Sequence, residues 1–549
     1  MIALGSRKWW ALGALALALL VVGLDATILS IALPTLSTEL HASTGQLQWF
    51  VDAYLLVLAA ALLPAGLLGD RFGRKKLLLA ALVVFGVSSL ACAYATSAGM
   101  LVAARSVLGL SAAFLMPLSM AVLPVLFTPE ERPRALGIWV TATAASFPIG
   151  PVVGGWLLDN FWWGSVFLIN VPVVVLGVIA VAVLLPESRN PSPARLDAAG
   201  ALTSSLGLAG ITYGFIEAGE KGWGDAGALS AMAAGVVVLL AFVAWQRRVS
   251  RRPHAQPREG RSRVPGARRR RLAPPQVLRA RHRHVTDPLV DLGLFRSASF
   301  TWGTVLATLM NFALFGLLFA VPQYLQAVKG SDALGVGLRL LPMIGGLLVG
   351  ARVGGRIAPR TGAKPVVAIG FGLLVAALAA GATTGTGTRF GFTAAWITVV
   401  GLGVGFAMPT ALDAAIGALS AERSGVGSGL IQAVRQVGGA IGVAVLGTVL
   451  NTSYRGHLDV TGLPAQAAGA ARESVSAGVE VARQLGSGSL LDLVRGAFVH
   501  GMDAMLWVCA GLATVGVLVA LALPPSRSAP IVGADGAQAE SEREVVAGG

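Results

Sequence analysis

Apolar runs of about twenty residues recur along the whole chain, separated by short polar or charged stretches. Each run is long enough to cross a bilayer as a helix, because twenty residues rise about 30 Å. The pattern predicts spans over 10–33, 47–68, 77–95, 100–126, 135–158, 166–185, 198–217 and 227–245. After a polar interruption, six more follow over 299–321, 335–357, 365–384, 393–415, 427–450 and 500–523. The expected fold is an all-α polytopic membrane protein. The first run, behind Arg7 and Lys8, continues to residue 33 without a small-residue cleavage site. It reads as an uncleaved first span rather than a signal peptide. Residues 451–499 read as a long outer loop.

Composition agrees with this class. Of 549 residues, 55% are hydrophobic and 13% charged, and mean hydropathy is +0.73. That charge share is about half of what a soluble domain carries. Cys92 and Cys509 both lie inside apolar runs, so neither a disulfide framework nor a Cys-rich metal site can be built. Charge placement sets direction. With both termini cytoplasmic, 32 of the 42 Lys and Arg fall on the inner side and 8 on the outer side, with Arg105 and Arg435 inside spans. The positive-inside rule thus fixes the orientation and favours an even number of spans. The 246–298 segment holds 15 Arg against Glu259, Asp287 and Asp291, supplying +12 of the formal +15. It reads as a Pro/Arg-rich cytoplasmic linker reinforcing topology rather than a nucleic-acid site.

An internal repeat divides the chain. Gly66-Leu-Leu-Gly-Asp70-Arg71-Phe-Gly73-Arg74-Lys75-Lys76 follows the second span, and Gly355-Arg-Ile-Ala-Pro359-Arg360-Thr-Gly362-Ala-Lys364 follows the tenth. At an offset of 289, Gly66/Gly355, Arg71/Arg360, Gly73/Gly362 and Lys75/Lys364 coincide. This predicts two six-span halves, 1–190 and 298–523, with two spans inserted at 191–246. The basic linker then occupies 247–297 and a cytoplasmic tail 524–549.

Four segments carry a family resemblance. They are Leu24-Asp25-Ala-Thr27-Ile-Leu-Ser-Ile-Ala-Leu33-Pro34, the Gly66–Lys76 loop, Arg105-Ser-Val-Leu-Gly109, and Gly137 through Gly150-Pro151-Val-Val-Gly154-Gly155. Together they resemble the 14-span drug:proton antiporters of the major facilitator superfamily, the EmrB/QacA type. Leu108 and Ser146 stand where that family usually has Gln and Gly. The resemblance implies the major facilitator fold and proton-coupled efflux of drugs or antibiotics by alternating access. It also implies an antiporter helix carrying Gly137, Gly150, Pro151, Gly154 and Gly155. Ala-, Gly- and Arg-rich usage points to a bacterial source and hence the inner membrane, and the Asp70–Arg71 core with Gly66, Gly73 and Arg74 reads as a gating loop on its own physics.

The residues support a mechanism on physical grounds as well. An ionisable side chain at bilayer depth is expensive and marks function by default. Asp25, Asp52 and Arg105 come from three spans yet fall at similar outer depths, so Asp25 is the expected proton carrier and Arg105 its partner. Asp70 can pair with a cation such as Arg71 or one from a neighbouring span. In the second half the polar candidates are Asn311, Gln432 and Arg435, with an interior hydrogen-bond network or snorkelling as the reading for Arg435. Asp413 reads as wetted. The G-x-G repeats at Gly401/Gly403/Gly405 and Gly425/Gly427/Gly429 lie within or beside spans and lack a strand-to-helix setting.

No G-x-x-x-x-G-K-[ST] loop, HExxH or nucleophile–base set is present, so ATP-driven export, a membrane metalloprotease and a membrane enzyme are not expected, nor is a metal or cofactor. The expected partners are protons, small lipophilic or cationic molecules and the lipid bilayer, with no nucleic acid and with an accessory export protein left open. The rivals are a proton-linked nutrient symporter and a non-transporting membrane sensor or scaffold.

Overall fold

A computed structural model describes residues 4–42, 44–189, 197–250, 292–419 and 424–522. Most of the Arg-rich linker and the tail from 523 therefore lie outside the described residues. Among those described, the regular structure is helical with no strand. That is what bilayer-length apolar runs require, since each must satisfy its own backbone hydrogen bonds.

The first half comprises α1 (Leu4–Glu39), α2 (Thr44–Phe72), α3 (Arg74–Ala93), α4 (Ala98–Leu126), α5 (Arg132–Asn160), the single turn α6 (Ser165–Leu168) and α7 (Asn170–Leu184). Two helices follow, α8 (Ala198–Lys221) and α9 (Ala226–Ser250). The second half comprises α10 (Ala298–Gln323), α11 (Ala333–Thr361), α12 (Ala363–Gly381), α13 (Phe390–Gly417), α14 (Ser424–His457) and α17 (Gly488–Ala522). Short α15 (Ala465–Glu473) and α16 (Val475–Gln484) precede α17. Thirteen helical segments among the described residues are long and apolar enough to cross a membrane, with α6 and α7 counted as one. With α5, which has 29 residues and no charge between Arg134 and Asp159, the set matches the fourteen runs read from sequence.

Local chemistry sets the helix ends. Ser97, Asp197, Ser297 and Asp332 each accept a backbone N–H three residues on, capping α4, α8, α10 and α11. The repeated loops share a backbone feature. Gly73, between α2 and α3, has φ +105°, and Gly362, between α11 and α12, has φ +85°. Both sit in the left-handed region that favours glycine, so the sequence repeat is also a repeat of the turn.

Helices α8 and α9 pack on each other through Gly210 and Gly235, and α8 lies against α2 and α14. Buried Asp197 ties the pair, accepting from Trp245 Nε1 at 3.0 Å and Gln246 Nε2 at 2.7 Å. At its other end Trp223 Nε1 donates to Thr448 Oγ1 of α14 at 2.6 Å. The 451–499 segment differs from the expected loop. Helix α14 continues to His457 and α17 begins at Gly488, with α15 and α16 between them. The Tyr454 hydroxyl holds this cap by donating to the Ala471 carbonyl at 2.8 Å.

Candidate functional site

Three polar constellations lie within the bundle. The first joins α1, α2, α3, α4 and α7. Asp25, 2% exposed, is paired with Arg105, 1% exposed, through Arg105 Nη1 and Asp25 Oδ2. Arg105 Nε donates to the Phe50 carbonyl at 2.9 Å, and the guanidinium carbon stands 4.5 Å from the Tyr54 ring centroid. Phe50 and Tyr54 are four residues apart and share one face of α2. Asp52 lies between them in sequence and so is turned off that face; it is half-buried. The other Asp25 oxygen accepts from Asn170 Nδ2 at 3.4 Å, and that amide also reaches Ser89 Oγ at 3.3 Å. A buried carboxyl group is thus engaged by a guanidinium and an amide, with a second hydrogen bond anchoring the guanidinium.

Small residues bring α1 against α5 beside this pair. A Cβ on Gly150 would meet the Thr27 side chain, one on Gly154 would fall 3.3 Å from Ile28, and Gly23 faces Ser146. Thr27 Oγ1 donates to the Ser146 carbonyl at 3.2 Å. On the other side of α5, Gly137 packs against Ala351 of α11. Gly155 is half-buried, and the side chain of Pro151 lies outside the described residues.

The second constellation joins the two halves at one end of the bundle. Asp70 Oδ1 accepts from Arg74 Nη2 at 2.7 Å and from Gly425 N at 2.9 Å; Oδ2 accepts from Val426 N at 2.9 Å. A carboxylate of the first half thereby caps the N-terminus of α14, where the helix dipole favours negative charge. Gly66 packs on the Gly425 carbonyl, and Ser424 Oγ donates to the Ala121 carbonyl at 3.2 Å. Nearby, Arg132 of α5 approaches Asp413 of α13 at 3.7 Å. The cation on Asp70 is Arg74, four residues on and across the Gly73 turn, rather than Arg71. The Arg71 guanidinium carbon instead lies 5.6 Å from the Phe72 ring centroid. Asp413, read from sequence as wetted, bridges the halves.

The third constellation gathers Asn311 of α10 with Gln432 and Arg435 of α14. Arg435 Nη1 donates to Gln432 Oε1 at 2.6 Å and Nη2 to Asn311 Oδ1 at 3.3 Å. Asn311 Nδ2 donates to the Arg435 carbonyl at 2.8 Å. Arg435 is an interior network residue rather than a snorkelling one. Its guanidinium carbon stands 5.8 Å from the ring centroid of Trp139, a fully buried residue of α5 in the other half.

These two linked helical halves, with a polar latch at one end, have close counterparts among known proteins. A sequence profile of the Major Facilitator Superfamily matches residues 15–443. The chain belongs to the major facilitator superfamily. The transporter is 34% identical to the tetracenomycin C resistance and export protein of Streptomyces glaucescens, over 94% of this chain and 92% of that one. It is also 34% identical to the multidrug efflux pump LfrA of Mycolicibacterium smegmatis, covering 93% and 96%. In structure it resembles the human organic anion transporter MFSD10, with TM-score 0.57 and 16% identity over 93% of this chain and 99% of that one. That likeness is one of fold alone.

Sequence reasoning missed three parts of this transporter's polar framework. Asn170 carried a detectable signal as a lone amide inside an apolar run. The α14 N-terminus did not, because backbone donors leave no mark in side-chain patterns. The Gly425/Gly427/Gly429 repeat is a packing seam: Gly425 meets Gly66, and a Cβ on Gly429 would fall 2.8 Å from the Leu62 carbonyl.

Proposed function

We propose that this protein is a proton-driven antiporter that exports small organic molecules, drugs or antibiotics among them, across a bacterial cell membrane. Both termini are cytoplasmic in this reading, so the Asp70 latch is the inner gate and the described conformation has that gate shut. The observation that carries the reading is the buried Asp25–Arg105 pair, seated where α1 meets the small-residue face of α5. The curated relatives named for resistance and export support the direction of transport.

The chemistry follows from the pair. A proton arriving from outside neutralises Asp25 and releases Arg105, which keeps only the Phe50 carbonyl and the Tyr54 face. Breaking a buried ion pair by removing one charge costs about 3–5 kcal/mol. Protonation is therefore coupled to a rearrangement that re-solvates or re-pairs the guanidinium, and α5 carries it to the seam with α11. Opening the inner side requires Asp70 to leave the α14 N-terminus. Substrate binding from the cytoplasm, with proton loss inward, completes the exchange. Each ligand drives the step only through its differential affinity for the two states.

The test is uphill movement in inverted membrane vesicles given an imposed inside-acid gradient. The proposal expects gradient-driven accumulation of at least one member of a panel of dyes and antibiotics, abolished by collapsing the gradient. Deleting residues 253–282 is expected to leave accumulation unchanged. Equal accumulation with and without the gradient, at equal protein levels, contradicts proton coupling. Loss of transport on the deletion would instead favour a docking or sensing role for the linker.

A further inference from the structure

We propose that the Arg435 constellation is a recognition site for an anionic group on the substrate, so that acidic organic molecules are the preferred cargo. This rests on the reading that the chain moves small organic molecules, and it narrows their class.

The argument begins with charge. Among the described residues, Arg105 is matched by Asp25, Arg74 by Asp70 and Arg132 by Asp413. Arg435 has no carboxylate within 4 Å among them. Helices α10 and α14, which hold its partners, contain no acidic residue. Its contacts are two amide oxygens, from Gln432 and Asn311, and the Met408 sulfur at 3.8 Å. Neutral partners orient a guanidinium but do not cancel its charge, and an uncompensated buried charge is costly. It is retained where a ligand completes it.

Unused donors make the second observation. Arg435 Nε and Gln432 Nε2 are both buried with no hydrogen-bond partner. The two residues are 7% and 5% exposed and lie on one face of α14, three positions apart. Two empty N–H groups beside one positive charge, and no empty acceptor on either side chain, select a group that accepts hydrogen bonds and carries negative charge. A carboxylate or an acidic phenolate fits; an ammonium does not.

Position supplies the third. Arg435 stands eleven residues along α14 from Ser424, about 16 Å from the latch. Across the seam it meets the Trp139 ring of the other half. When the halves separate at the latch, the guanidinium loses that ring and faces the newly opened side. The aromatic surface of Trp139 lines the opposite wall, which suits a flat acidic molecule. Coupling then gains a further term: one anion exported against one proton imported moves two charges, where a neutral substrate moves one.

Direct binding separates this inference from the export reading, because it needs no gradient. The full-length chain in detergent would be titrated by fluorescence anisotropy against fluorescein and rhodamine 6G, xanthene dyes of opposite charge, at mildly alkaline pH. The expected result is fluorescein binding at least about tenfold tighter, the scale of one charge-assisted hydrogen bond. Arg435→Gln is expected to lower fluorescein affinity by at least about tenfold while rhodamine 6G affinity holds or rises. Arg435→Lys should restore part of the loss, as it keeps the charge without the fork. Tighter rhodamine 6G binding by the wild type, absent fluorescein binding, or an equal loss for both dyes in Arg435→Gln would overturn the proposal. Fluorescein binding without gradient-driven transport would leave this site standing and count against export.

Discussion

At the residue scale, the proposed coupling rests on the buried pair Asp25 and Arg105. The pair predicts a non-additive stability pattern. Arg105→Gln strands a buried carboxylate and should cost about 3–5 kcal/mol of stability. Adding Asp25→Asn should recover most of that, because neutral partners no longer carry an unpaired charge. A double-mutant cycle of thermal midpoints in detergent measures this, and additive losses would show the two side chains to be independent. A second residue prediction concerns Glu131, in the loop between α4 and α5. Lys8 Nζ meets both its oxygens at 2.6 Å, and this hydrogen bond holds the carboxyl below the usual glutamate range. A carboxylate depressed by folding contributes stability above its unfolded pKa and loses it as pH falls through the folded value. The difference in thermal midpoint between wild type and Glu131→Gln should therefore shrink below about pH 4. A difference that persists in acid would place the effect elsewhere. The Asp25–Arg105 pairing was legible in sequence, because two charges in separate apolar runs at one depth have few partners. Asp70 was legible as a carboxylate with a cation partner, but which cation was not. A charge four residues on, beyond a glycine turn, competes with the adjacent Arg71, and only the φ of Gly73 decides between them.

Among the elements, the contact between α2 and α14 is the most demanding. Gly66 lies so close to the Gly425 carbonyl that a methyl group there has no room. Gly66→Ala should therefore weaken the latch, bias the transporter towards an open inner side and slow transport severalfold or more. Reactivity of Ser428→Cys with a membrane-impermeant maleimide reports the gate directly, since Ser428 is fully buried one turn inside it and Cys92 and Cys509 are buried. Labelling from the Asp70 side should accelerate in the Gly66→Ala background, and unchanged labelling would remove Gly66 from the gate. The repeat that marked these loops was visible because glycines at equivalent turns are forced by backbone geometry. The α15–α16 cap was invisible for the opposite reason. Its helices are short, and their apolar positions are too few to stand out from a polar loop.

On the scale of the whole molecule, two halves meet where Asp70 caps α14, and among the described residues Arg435 is a buried seam cation with no carboxylate within 4 Å. Fourteen apolar runs gave the architecture, since a bilayer leaves helices few alternatives. How the halves meet was not legible, because the seam is made of glycines, backbone carbonyls and one helix terminus. Energetics ties the halves together: membrane potential supplies about 2.3 kcal/mol per charge per 100 mV, and one pH unit about 1.4 kcal/mol. One imported proton can thus sustain a gradient of a few hundredfold for a neutral cargo.

The central claim is that Asp25 couples this proton to substrate. The most direct measurement compares wild type and Asp25→Asn in proteoliposomes, using a fluorescent drug that the wild type accumulates, in two assays on the same preparation. One assay follows substrate exchange without a gradient; the other follows accumulation under an imposed pH gradient. The account predicts that Asp25→Asn retains exchange but loses uphill accumulation. Accumulation by Asp25→Asn equal to that of the wild type would contradict it.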